Sequence, residues 1–378
     1  LASRKEVRAV SPVDTRELDQ RALLYVKNLK VWFPLRKSIT EILTMAPTKY
    51  VRAVDDITFT VSEGEVFGLV GESGCGKTTT GRAVLRLVDP TSGTVAYKPS
   101  EQTLKELIRA EGPRILLESK IHVDVPKIRN MKPLRREMQM IFQDPYGSLN
   151  PRQTVLSILM EPLEVHGIGE TKREKIEIVM KTLELVKLVP PEDFLHRNPH
   201  HLSGGQRQRV GIARAIILRP KFIVADEPLS MLDVSIRTDI LKLMMELKEK
   251  LGLTYLFITH DLALTRYIAD RIAVMYLGKI VELGSTEKIL SNPLHPYTRA
   301  LIQAIPVPDP SRRKELKTPE IKGEVPSAVN IPPGCRFHPR CVALDRNPNL
   351  AGYCKVREPQ LIEVEKDHFV ACWLYSKA

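Results

Sequence analysis

No apolar run in the 378-residue sequence approaches the roughly 18 residues that a membrane-crossing helix requires, so no transmembrane helix is expected. The opening LASRK carries no apolar core of the kind that directs secretion, and no secretory signal is expected either. It also lacks an initiator methionine, so a few residues are expected to be missing before Leu1. Acidic side chains are in deficit, 45 against 57 basic ones, which leaves a net charge of +12. That deficit points to a partner of opposite sign, either nucleic acid or an anionic membrane surface, while a plain solvated basic surface reads equally well from it. Cysteine is scarce until the end of the chain: of five residues, four come after position 334. The remaining composition, 43% hydrophobic and 27% charged, is that of an ordinary globular protein with room for one large domain, or a large one and a small one.

Alternating apolar positions predict a strand over residues 22–33 and two more over 53–61 and 65–70. A helical pattern follows over 77–88, then the turn DPTSG at 89–93 and a strand over 94–97. Residues 98–133 are polar and mixed in charge; they read as an insertion at a loop, with one helix around 103–111 and no evident function. A strand over 138–142 leads to a helical stretch from 153 to about 188, and Ser203 is placed as the N-cap of a helix running to about 218. Strand and helix patterns then alternate at 222–225, 234–250, 254–259 and 262–269. Such alternation predicts a mostly parallel sheet with crossover helices, interrupted by a helical block over about 143–218. Beyond 305 proline becomes dense and periodicity fades, so residues 1–305 read as the main domain and 306–378 as a small irregular appendage.

The string GESGCGKTT at 71–79 fits G-x-x-x-x-G-K-[ST], a loop whose backbone N–H groups surround phosphates. It stands between a strand pattern and a helix pattern, as it must if the helix N-terminus is to add its own N–H groups and positive dipole end. Alone it says only that a nucleotide phosphate binds. With LSGGQ at 202–206 and FIVADEP at 222–228, however, it resembles the ATPase subunits of ABC transporters. The resemblance implies an α/β fold: a RecA-like P-loop core with an antiparallel β-subdomain and a helical subdomain, followed by a small cysteine-bearing tail.

Within that resemblance, Gly71, Glu72, Ser73, Gly74, Cys75, Gly76, Lys77, Thr78 and Thr79 should bind ATP, with Lys77 reaching the β- and γ-phosphates and Thr78 holding Mg²⁺. Asp226, ending an apolar strand, should sit beside the metal, and Glu227 should be the general base that polarises water. Gln143 is similar to the family's glutamine that senses Mg²⁺ and the γ-phosphate, and His260 to its switch histidine. Phe33 aligns best with the aromatic that stacks on adenine, with Trp32 one residue away and a core position equally open. Ser203, Gly204, Gly205 and Gln206 should contact ATP held by an opposing subunit, so that the site is complete only in a head-to-tail dimer. Leu232 and Asp233 lie where the family's D-loop crosses that interface; Met231 stands where the family often has alanine.

The strings QDPYGSLNP at 143–151, NPLHPYT at 292–298 and GCRFHPRC at 334–341 narrow the resemblance to oligopeptide and dipeptide importers. It implies a second ATPase subunit, read as a paralogue, two membrane permeases and an extracytoplasmic substrate-binding protein, with this chain at the cytoplasmic face of the membrane. Related importers carry oligosaccharides or nickel, and these stay open as cargo. A soluble ABC ATPase acting on ribosomes or DNA is disfavoured by the single cassette and the lack of a heptad-bearing insert, so nucleic acid is not an expected partner. Cys335, Cys341, Cys354 and Cys372 are spaced C-x₅-C-x₁₂-C-x₁₇-C without the short knuckles of structural zinc. Clustered cysteines in a cytoplasmic chain argue for metal, and in the family this tail resembles an iron–sulfur motif. A [4Fe–4S] cluster is expected there, with Zn²⁺, His338 joining the set, and no metal as the alternatives.

Overall fold

The computed structural model describes residues 21–305 and 320–376. The expectations about the start of the chain and about a boundary at 305/306 fall at or outside those limits. Twelve strands are described: β1 (Ala22–Pro34), β2 (Tyr50–Ser62), β3 (Val66–Val70), β4 (Ser92–Tyr97), β5 (Val123–Asp124), β6 (Met138–Ile141), β7 (Phe222–Asp226), β8 (Thr254–Thr259), β9 (Arg271–Tyr276), β10 (Lys279–Ser285), β11 (Ile362–Glu365) and β12 (His368–Val370). They form two sheets. The smaller is antiparallel in the order β2-β1-β4-β5, and the larger runs β11-β12-β10-β9-β3-β8-β7-β6.

Five strands of the larger sheet, β9-β3-β8-β7-β6, are parallel, as the strand–helix alternation predicts. Strands β3, β7 and β8 are buried along their whole length, which is why they read as continuous apolar runs rather than alternating ones. The helical block consists chiefly of Val155–His166, Lys172–Leu185 and Gly204–Ile216, and its buried Leu159, Leu163, Val179, Leu183 and Val210 share one core with β7 and the helix Val234–Leu251. Gly167, in the left-handed conformation, ends the first of these helices and divides the predicted 153–188 stretch in two.

The 98–133 segment is more than a surface insertion. Ser100 caps the helix Glu101–Glu111 by accepting from the Thr103 N–H, and β5 joins the edge of the smaller sheet. Among its apolar residues, Leu107, Ile115, Val123, Val125 and Ile128 are fully buried in the core beneath that sheet. Each such side chain stabilises the fold by roughly 1.5–3 kcal/mol, enough to seat a segment whose average polarity hides it.

The C-terminal appendage is joined to the core. Strand β12 pairs antiparallel with β10, and β11 with β12, so the tail extends the larger sheet. Glu282 on β10 is fully buried; it accepts from the Leu294 N–H at 2.8 Å, the His295 N–H at 2.9 Å and His368 Nε2 at 2.8 Å. Phe337 is buried edge-on to Tyr276, 5.3 Å between ring centres, and tilted against Tyr297. Among the described residues, no helix is long and apolar enough to cross a membrane.

Candidate functional site

Topology gathers the site. Residues 71–79 follow β3, Gln143 lies just beyond β6, Glu227 just beyond β7 and His260 just beyond β8, so all four leave the same edge of neighbouring parallel strands. Such an edge, with the next helix starting there, is where open α/β sheets bind ligands. A cleft of about 540 Å³ opens at this edge, lined by Glu72, Ser73, Gly74, Gly76, Lys77, Thr78, Thr79, Gln143, Glu227 and His260, together with Ala53 and Leu301.

Sterics explain the loop. A Cβ on Gly76 would stand 2.1 Å from the Ala53 carbonyl oxygen, and one on Gly71 would stand 2.2 Å from that of Met275. Only glycine lets the loop fold this tightly onto β2 and β9. Lys77 opens the helix Lys77–Val84 and is 4% exposed; its Nζ donates to the carbonyls of Gly71 at 2.7 Å and Glu72 at 2.9 Å. The ammonium is thus held over the loop that phosphates would enter. Cys75 is buried beneath it, Sγ 3.8 Å from Nζ, and burial raises its thiol pKa.

Thr78 Oγ1 donates to Asp226 Oδ1 at 2.8 Å. Burial pushes the Asp226 carboxyl above the usual carboxylate range, with the Thr78 hydroxyl and the Arg82 charge pulling it back. Two hard oxygen donors side by side at the mouth of a phosphate loop fit Mg²⁺, which takes few protein ligands and completes its shell with phosphate and water. Glu227 holds a left-handed backbone, φ +42°, while its N–H donates to the Ile258 carbonyl at 2.9 Å. A non-glycine residue in that conformation costs about 1–3 kcal/mol, a strain found at functional sites. Its carboxylate receives Gln143 Nε2 at 3.2 Å and His260 Nδ1 at 3.0 Å. The loop carrying His260 is braced by Asp261, which accepts from the Ala263 N–H at 2.9 Å.

Other expected residues lie elsewhere. Ser203 caps Gly204–Ile216 through a reciprocal pair, its hydroxyl accepting from the Gln206 N–H and the Gln206 side chain accepting from the Ser203 N–H. Ser203, Gly204, Gly205 and Gln206 do not line the cleft of their own chain. Trp32 is occupied structurally: Nε1 donates to Asp55 Oδ1 at 3.1 Å, and the Arg52 guanidinium lies 4.7 Å from its ring centre. Phe33 is 40% exposed and, in this chain, stands outside the cleft lining. Sequence reasoning assigned no role to Tyr297, whose hydroxyl accepts from the Glu72 N–H at 2.9 Å. The signal was present in NPLHPYT, quoted for its resemblance without a chemical account.

The expected iron–sulfur cluster is corrected by the structure. Cys335, Cys341, Cys354 and Cys372 do converge on one small cavity of about 20 Å³, shared with Phe337, Leu344, Leu350 and Trp373. Yet among the described residues no group of three or more His, Cys, Asp or Glu side chains is arranged to hold a metal ion, so neither a [4Fe–4S] cluster nor Zn²⁺ is supported. Burial in an apolar wall raises the thiols, Cys335 and Cys372 to about 12 and Cys354 to about 11.

Comparison with known proteins agrees with the geometry. The family described as ABC transporter matches residues 54–230, and the oligopeptide/dipeptide transporter C-terminal region matches 281–345. The oligopeptide transport ATP-binding protein AppF of Bacillus subtilis (strain 168) is 43% identical over 360 residues, covering 95% of this chain and 99% of AppF. YkfD of the same organism, also named for oligopeptide transport, is 45% identical over 357 residues, covering 94% of this chain and 96% of that protein. Among solved structures, the dimeric ABC transporter cassette MJ0796 aligns with a TM-score of 0.54 at 25% identity, over 70% of this chain and 98% of that one. A second MJ0796 dimer, in a post-hydrolysis state with ADP and Pi, aligns equally well. The chain belongs to the ABC transporter family: it is an ATPase subunit carrying the oligopeptide/dipeptide transporter C-terminal region.

Proposed function

We propose that the chain drives uptake of oligopeptides or dipeptides, pairing with a second ATPase subunit beneath two membrane permeases fed by an extracytoplasmic binding protein. The observation that carries this reading is full-length similarity to proteins named for oligopeptide transport, the tail included. As a subunit of such an importer, the chain would lie at the cytoplasmic membrane face and leave translocation to the permeases.

At the site, Lys77 turns from the carbonyls of Gly71 and Glu72 to the phosphates, while the N–H groups of the 71–79 loop surround them. Thr78, Asp226 and Gln143 would hold Mg²⁺, which neutralises charge on the β- and γ-phosphates when bound. Glu227, oriented by Gln143 and His260, takes the proton of the attacking water. Phe33 offers an exposed ring to adenine. The Ser203 turn and the helix behind it present N–H groups to ATP on the opposing subunit. Ser203→Ala should therefore cost about 1 kcal/mol of stability through the lost cap and weaken ATP-dependent pairing in light scattering; unchanged pairing would remove Ser203 from that contact.

Gln143 lines two cavities, the ATP cleft and a groove of about 860 Å³ beside Phe142, Glu161, Val165 and Arg214 on the helical block. A partner seated in the groove would share this side chain with the nucleotide, and we place the permease contact there. Reconstitution with its permeases and binding protein in liposomes tests the whole reading. Labelled oligopeptide should enter, and ATP turnover should rise when the binding protein carries peptide. A response to oligosaccharide or nickel instead would transfer the cargo assignment to those ligands.

A further inference from the structure

Arg340 belongs to the C-terminal turn GCRFHPRC, yet its side chain ends at the phosphate loop. Nη1 donates to Glu72 Oε2 at 2.8 Å and Nη2 to Glu72 Oε1 at 3.2 Å, the two-pronged pairing that only arginine makes. The arginine is 6% exposed and its guanidinium lies 5.8 Å from the Tyr276 ring centre. The same turn is anchored a second time by Arg336, which is buried and donates to Asp55, to the Leu277 carbonyl and, at 3.1 Å, to Glu358. Asp55 in turn accepts from Trp32, beside Phe33. The tail therefore grips the nucleotide-binding face at two points.

Glu72 is an awkward residue for its place. It lines the ATP cleft and carries a carboxylate into a loop built to receive a polyanion. Its three groups are all held: the N–H by Tyr297, the carbonyl by Lys77 and the carboxylate by Arg340. We propose that Arg340 is a positioning residue for ATP, neutralising the Glu72 carboxylate and turning it away from the phosphates, so that the C-terminal tail sets nucleotide affinity. The inference rests on the ATP site described above. Without the guanidinium, a like charge faces the incoming phosphates.

The test uses the full chain paired with its second ATPase subunit and MgATP steady-state kinetics. Arg340→Gln should raise KM for MgATP about tenfold, close to 1.4 kcal/mol, with kcat within about threefold. Arg340→Lys, keeping the charge but losing the fork, should fall between that variant and the parent. Adding Glu72→Gln to Arg340→Gln should return KM to within about threefold of the parent, because the repelling charge has gone. A KM for Arg340→Gln within twofold of the parent would overturn the proposal. So would a double variant no better than the single one, the result expected if Arg340 merely anchors the tail. Should Arg340→Gln fail to fold, Arg340→Lys with and without Glu72→Gln makes the same comparison. A parent assembly, with its second ATPase subunit present, that neither binds nor hydrolyses MgATP would instead sink the reading of the site itself.

Discussion

Glu227→Gln is expected to bind MgATP as the parent does and to turn it over about 10²–10⁴-fold more slowly, the usual contribution of a positioned base. The amide keeps the shape and an oxygen acceptor, so the contacts from Gln143 at 3.2 Å and His260 at 3.0 Å have a partner and the cleft keeps its walls. What is lost is a group able to take a proton. Binding without hydrolysis should also hold two subunits together on ATP, visible as a slow-dissociating dimer in size-exclusion chromatography with light scattering. Hydrolysis within threefold of the parent would remove Glu227 from this role and leave its strained backbone without a chemical reason.

Lys77→Ala is expected to act one step earlier. The ammonium makes two hydrogen bonds to loop carbonyls that it would exchange for phosphate oxygens. Charge-assisted bonds contribute roughly 1.5–3 kcal/mol each, so losing two should weaken MgATP binding by at least about 100-fold, and turnover should vanish at ordinary ATP concentrations. Titration with a fluorescent nucleotide measures the first effect, and an unchanged circular dichroism spectrum separates it from unfolding. An affinity within fivefold would mean that the backbone N–H groups carry the phosphates by themselves.

The elements that carry the candidate site were legible because each is local. A glycine-rich turn between strand and helix, an N-cap at Ser203 and an apolar strand ending at Asp226 are each written within a few consecutive residues, and these elements lie where their strings predict. The main parallel sheet followed from strand–helix alternation for the same reason. Long-range pairings were not legible. Strands β11 and β12 are short, and β10, which pairs with β12, lies more than 80 residues earlier, so alternation over three or four positions carried no signal. The 98–133 segment hid its buried residues in a charged background, and only tertiary contact reveals that Leu107 and Ile115 are core. Phe33 is placed ahead of Trp32 on its alignment alone; the bond from the Trp32 indole to Asp55 joins distant residues and is written in no local string. The four late cysteines illustrate the opposite error: spacing drew them together correctly, but not the arrangement that a metal ion requires.

The pairing of β12 with β10 has a consequence for how the chain is made. Synthesis proceeds from the N-terminus, and the catalytic strands β3, β6, β7 and β8 can assemble well before the tail emerges. Until residues 368–370 arrive, β10 is an open edge, and the Glu282 carboxylate lacks its histidine partner. The nascent cassette thus carries an adhesive border that is sealed only after the strands of the nucleotide pocket have emerged.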